Sequence, residues 1–150
     1  MPRMAGAGGA LRAEDWTLLV LAEAHGGVLS PVQLQKSLFL LGENLDTGEG
    51  FYRFVAYDYG PFCKSVYTDA EDLAREGLVG IGNMPWGHRS FWATPEGLRA
   101  AEVLRARLSA EARDYMARVV EWVRKVSFKD LVMAIYEAYP SMRANSVFRY

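Results

Sequence analysis

The chain has 150 residues, is 51% hydrophobic and carries 17 basic against 18 acidic residues, a net charge of −1. This length suits one domain burying about 70% of its unfolded surface, and the near-zero charge removes the usual electrostatic case for nonspecific nucleic-acid binding. Cys63 is the single cysteine and His25 and His88 are the two histidines, which excludes an internal disulfide and leaves no zinc-type ligand set, so no metal or cofactor is expected.

Charge is unevenly placed. Residues 1–60 hold 4 Lys or Arg against 7 Asp or Glu, residues 61–93 hold 3 against 4, and residues 94–150 hold 10 against 7. The apolar run from Trp16 to Ala22, less Thr17, is far short of the roughly 20 residues that span a bilayer, so no membrane partner is expected. The small-residue start, residues 1–12, lacks the apolar core of a secretory signal and reads as a flexible arm, with a single domain over 13–150. A reducing cytoplasm fits the cysteine usage.

In chain order, a first helix is expected from Ala13 to His25, with Trp16, Leu19, Val20 and Glu23 on one face and Gly26-Gly27 as a left-handed stop. Ser30-Pro31-Val32-Gln33 is a capping box with proline at the first helical position, and it opens a second helix whose Leu34, Leu38, Leu41 and Leu45 form a stripe that wants burial. Asp46 to Gly50 is a loop. Phe51 to Tyr59 packs five aromatics into nine residues and reads as a short strand or extended segment before a turn at Gly60-Pro61. A third helix follows from near Pro61 to Glu76, with Phe62, Val66, Ala70 and Leu73 at helical spacing, and Gly77 closes it.

Two short apolar segments come next, Leu78 to Ile81 and Phe91 to Ala93, joined by a loop over residues 82–89 long enough for a wing tip. Thr94-Pro95-Glu96-Gly97 then announces a fourth helix ending near Leu108. Ser109 caps a fifth, with a stripe of Ala112, Tyr115, Met116, Val119, Val120, Val123 and Val126. Ser127 to Asp130 caps a sixth, with Phe128, Leu131, Val132, Ile135, Tyr136 and Tyr139, before Pro140 stops it. The expected fold is mainly α (α+β): a winged-helix-like unit with a short β-hairpin wing, followed by three further helices. The last two must pack back on that unit or on a second copy, which makes residues 109–139 a candidate homodimer surface.

Several stretches together resemble the bacterial and phage family called Panacea, or the SocA-like antitoxin domain. They are Leu34-Gln35-Lys36-Ser37-Leu38-Phe39, Tyr59-Gly60-Pro61-Phe62 with Val66-Tyr67, Leu73 with Gly77-Leu78-Val79, and Leu131-Val132, Ile135-Tyr136 and Tyr139-Pro140, in the right order over residues 15–140. The chain departs from that pattern at Ser37, where an apolar residue is usual. The resemblance implies a mostly helical domain that acts by protein contact, in several relatives as the antidote to a toxin.

Candidate site residues follow from these elements. Gln35 and Lys36 lie off the leucine stripe, so at least one should be exposed. They read either as a polar contact pair for a partner, or as Gln35 holding the Tyr59-Gly60-Pro61 turn with Lys36 solvated. Tyr57, Tyr59, Pro61 and Phe62 form an aromatic turn, and Trp86 in the wing is either an interface anchor or core beneath the wing. Lys64, Ser65, Tyr67, His88 and Arg89 would meet DNA if the third helix read a major groove, although Asp69, Glu71, Asp72 and Glu76 on that helix oppose it. Cys63 reads as a small buried hydrophobe, and no catalytic site is read. Two hypotheses result. One is a non-catalytic protein-interaction module, similar to an antitoxin, with a protein partner such as a toxin. The other is a winged-helix DNA-binding regulator acting as a dimer.

Overall fold

A computed structural model describes residues 2–83 and 87–148. At its centre is α1 (Ala13–Glu23), whose segment Trp16 to Leu21 is apolar except for Thr17. A helix apolar on every side has to be enclosed, and every residue from Trp16 to Leu21 is buried. The one-sided face expected for this helix is therefore replaced by burial all round. Its start is fixed by the Asp15 carboxylate, which accepts the backbone N–H of Arg12 at 2.9 Å. Its stop falls earlier than Gly26-Gly27: the helix ends at Glu23, and His25 (φ 51°) and Gly26 (φ 88°) make the left-handed exit.

The capping box at Ser30 forms as expected. The Ser30 hydroxyl accepts the Gln33 N–H at 3.2 Å and the Gln33 side-chain oxygen accepts the Ser30 N–H at 2.8 Å, opening α2 (Pro31–Asn44). The third helix starts later than expected, α3 running Lys64–Arg75, because Gly60-Pro61-Phe62 is taken by a strand. The wing is an antiparallel pair, β3 (Val79–Asn83) and β4 (Arg89–Ala93), in register Ile81 to Phe91. Leu29, between α1 and α2, exchanges both backbone hydrogen bonds with Phe91 (2.9 and 3.0 Å), so β4 has neighbours on both sides at that point.

Three helices follow: α4 (Pro95–Arg105), capped by Thr94 and three residues shorter than the expected end at Leu108, α5 (Ala110–Lys125) and α6 (Phe128–Ala138), then a 3-10 turn over Pro140–Arg143. Helices α2, α3, α4 and α5 and strand β4 all pack on α1. The result is a mainly helical α+β fold with small antiparallel hairpins. The α5 stripe of Ala112, Met116, Val119, Val120 and Val123 is buried, α5 lying on α2 and α1, and Leu131, Val132, Ile135 and Tyr136 of α6 are buried too. The apolar faces that made residues 109–139 a candidate homodimer surface are thus used inside the protomer. Among the described residues, no helix is long and apolar enough to cross a membrane.

The start of the chain, expected to be a flexible arm, is laid along the body. Met4 bonds to Asn44 and Asp46 on the α2 side, Gly6 accepts from Ser109, Gly8 donates to Arg107, and Leu11 is buried. Small residues make this possible, since a Cβ on Gly6 would collide with the carbonyl of Asp46.

Two substitutions test the packing. A Cβ on Gly97 would overlap the backbone carbonyl of Leu78, so Gly97→Ala should cost more than about 2 kcal/mol in denaturant unfolding. The Ser37 hydroxyl is fully buried and has no hydrogen-bond partner. Ser37→Ala should therefore keep or raise stability, by up to about 1 kcal/mol, and a clear loss would show that the hydroxyl is satisfied.

Candidate functional site

Between α2 and α3 the aromatic-rich segment folds into a small hairpin, β1 (Val55–Tyr57) and β2 (Gly60–Phe62), with Val55 opposite Phe62 and Tyr57 opposite Gly60. The turn is made by Asp58 and Tyr59, and Gly60 follows at φ 103°, where a side chain would be strained. Three residues a side is too little to hold a hairpin in water. Both edges are instead bound to the body. On the β2 side, the Gln35 carboxamide pairs with the backbone of Cys63: its oxygen accepts the Cys63 N–H at 2.9 Å and its NH2 donates to the Cys63 carbonyl at 2.9 Å. Lys36 Nζ donates to the Pro61 carbonyl at 3.3 Å. On the β1 side, Asn145 donates to the Ala56 carbonyl and the Val147 N–H to that of Asp58.

These contacts correct the exposure expected for Gln35 and Lys36. Both are buried, at 2% and 3% exposure. Gln35 bonds Cys63, two residues past the Tyr59-Gly60-Pro61 turn expected for it, copying with one side chain the paired donor and acceptor of a neighbouring strand. Lys36 is not solvated. Its stem runs beneath Gly60, whose Cβ would lie 3.6 Å from Lys36 Cε and 3.3 Å from the Tyr136 ring. Burial lowers the Lys36 pKa from 10.5 to about 8, because desolvation disfavours the ammonium. Cys63 is buried as expected, at the N-cap of α3.

The hairpin presents its aromatics outward. Tyr57 is 50% exposed and stacks on Phe62 at 4.8 Å, and Phe62 meets Tyr67 edge-on at 5.8 Å. Tyr59 is 42% exposed and meets Phe128 edge-on at 5.3 Å, and Phe128 in turn meets Phe148. Pro61, expected as a partner contact, is buried in the pairing with Ala56. Beside the Tyr59–Phe128 pair lies a groove of about 650 Å³, lined by Val28, Val32, Gln33, His88 and Arg89 among others. Val28 and Phe128 are missed as site residues by the sequence reading. Phe128 fits the α6 stripe yet sits in the first turn, 45% exposed. Val28 carries a usable signal, since strand alternation beside the buried Leu29 turns it outward.

The residues proposed for DNA contact separate. Lys64, Ser65 and His88 are exposed, but Tyr67 stacks parallel on Phe91 at 5.8 Å, and the Arg89 guanidinium lies over the Phe91 ring at 5.3 Å and 3.4 Å from Glu71. On α3, Asp69 is drawn inward, accepting from the Tyr52 hydroxyl at 2.6 Å, which also bonds Thr17 at 2.8 Å. Burial, and next the hydrogen bond to Asp69, push the Tyr52 pKa up. Trp86 lies outside the described residues. Among the described residues, no group of three or more His, Cys, Asp and Glu is placed to hold a metal ion. No family model, no curated protein and no solved structure matches this chain.

Two variants test the α2 anchor. Gln35→Leu leaves the buried Cys63 N–H and C=O without partners and should cost about 3 kcal/mol. Lys36→Met removes a buried cation. With the folded pKa near 8 and the unfolded value 10.5, the unfolded chain binds more protons between those values, so the wild-type contribution grows as pH rises through that window and is lost as pH falls through 8. Wild-type stability measured against Lys36→Met should rise by up to about 3 kcal/mol between pH 7 and pH 10.5. A constant difference would mean that Lys36 titrates normally.

Proposed function

We propose that this chain is a non-catalytic protein-interaction module whose working surface is the β1–β2 hairpin and the groove beside it. The observation that carries the reading is the run of exposed apolar side chains held there by rigid anchors: Val55 (57%), Tyr57, Tyr59, Phe128 and Val147 (53%), with Val28 (48%) across the groove. Direct contacts link them, Tyr59 to Phe128 through their rings and Val147 to the hairpin through Asp58. Monomeric surfaces scatter such residues singly, and a contiguous set of this kind marks a contact face. Tyrosines on a short, pinned turn lose little entropy on binding, which is why aromatic anchors dominate interface energetics. The resemblance to SocA-like antitoxins fits this reading, a toxin being one kind of protein partner, and a cytoplasmic setting fits the single buried thiol.

A second reading, a winged-helix DNA-binding regulator, has the Leu29–Phe91 pairing beside the wing in its favour. Charge opposes it. The acids of α3 outnumber its two basic residues, Lys64 and Arg75, and Arg89 is already spent on Tyr67, Phe91 and Glu71.

The test is capture of the tagged chain from its own cells, with and without nuclease, for the wild type and for Tyr57→Ser combined with Tyr59→Ser. A nuclease-resistant protein partner should be retained by the wild type and lost by the double variant, with thermal unfolding shifted by no more than a few degrees. Retention by the double variant, or recovery only of nucleic acid released by moderate salt, overturns the reading.

A further inference from the structure

The groove beside Tyr59 has one wall of backbone. Phe91 turns its N–H and C=O toward Leu29, making hydrogen bonds of 3.0 and 2.9 Å. Main-chain groups alternate sides along a strand, so those of Arg89, two residues away, point the same way. Continuing the Leu29 to Phe91 register places Pro31 opposite Arg89. Pro31 offers no N–H and is already the first residue of α2. The neighbour strand therefore stops one pair short, and the backbone groups that Arg89 turns to that side have no strand residue beyond Leu29 to pair with. Arg89, Ser90, Ser30 and Pro31 all line the groove, so this open edge faces into it.

The remaining walls say what chemistry would complete that edge. Val28, Val32, Tyr59 and Phe128 give an apolar floor and side, while the Arg89 guanidinium is laid over Phe91 and paired with Glu71. An occupant that satisfies a backbone donor and acceptor while filling apolar space is an extended peptide. Resting on the interaction reading above, we propose that this groove receives an extended apolar segment of a partner protein, which adds to β4 at Arg89 and seats an apolar side chain between Val32, Tyr59 and Phe128.

The proposal separates from simple apolar docking by its use of the peptide backbone. A display library of short random peptides selected on the full chain should enrich sequences that share an apolar residue at one fixed position. Synthetic copies should shift the amide resonances of Val28, Val32, Arg89 and Phe128. Methylating the backbone nitrogen beside the apolar residue should weaken binding about tenfold or more. Val28→Asp, at an exposed position where the fold tolerates it, should abolish binding with unchanged thermal unfolding, and Phe128→Ala gives a second check. Enriched peptides indifferent to N-methylation or to Val28→Asp, or no enrichment at all, overturn strand addition. If peptides fail while a cellular partner is still lost with the Tyr57 and Tyr59 variants, the interaction reading stands without this one; if peptides seat in the groove but no cellular partner is captured, the reverse holds.

Discussion

The surface of this protein depends on one side chain acting as a piece of backbone. Gln35 meets the N–H and the C=O of Cys63 together, each at 2.9 Å, and so ends β2 against a helix rather than against another strand. Without that pair the hairpin would have a free inner edge and too few residues to persist. With it, the hairpin that carries Tyr57 and Tyr59 is tied to α2, and α3 starts from an N-cap at Cys63. Lys36 adds a weaker tie to Pro61 at 3.3 Å, and its buried ammonium has an energetic cost that an amide does not carry. Two adjacent polar residues of one helix are thus committed to the same hairpin, one by a complete hydrogen-bond match and the other by a single bond and a long apolar stem.

Why α2 accepts Gln35 and Lys36 as buried residues follows from where it sits. Its leucines face the core shared with α1 and α5, while its opposite flank is covered by β2. A helix enclosed on two sides does not have a solvent face at the positions that a one-stripe pattern assigns to it. For the same reason the expectation of an exposed Gln35 or Lys36 fails. The local pattern shows the stripe, but the element that covers the other flank lies more than twenty residues on, separated by 25 from Lys36 and 28 from Gln35. Local chemistry was more readable: Ser30, Thr94, Ser109 and Ser127 each cap the helix that their spacing announces, because a cap and its helix are three residues apart.

The boundary between β2 and α3 shows the opposite case. Phe62, Val66, Ala70 and Leu73 hold helical spacing, and Pro61 is well suited to a first helical turn, so sequence extends the helix to Pro61. The hairpin claims Gly60 to Phe62 because strand pairing with Val55 to Tyr57 and the two ties from α2 together outweigh one extra helical turn. The Gly60 conformation at φ 103° is the visible trace of that outcome, since a left-handed residue opens β2 where the helix would have begun. Phe62 still packs toward Tyr67 and so serves both elements.

Electrostatics decides between the two kinds of partner more firmly than topology does. The order of elements around the wing is a property of the scaffold, and partner choice is a property of side chains. A DNA-facing surface needs several cations left free to displace counterions. Here the wing's arginine is laid on two aromatic rings and paired with Glu71, a use that stiffens the junction of α3 and β4 and takes its charge out of long-range play. What the same residue leaves open is its main chain, at the point where Pro31 ends the neighbouring strand. The occupied guanidinium withholds the free cation that phosphate contact draws on, and an open main chain is what an incoming peptide strand would use.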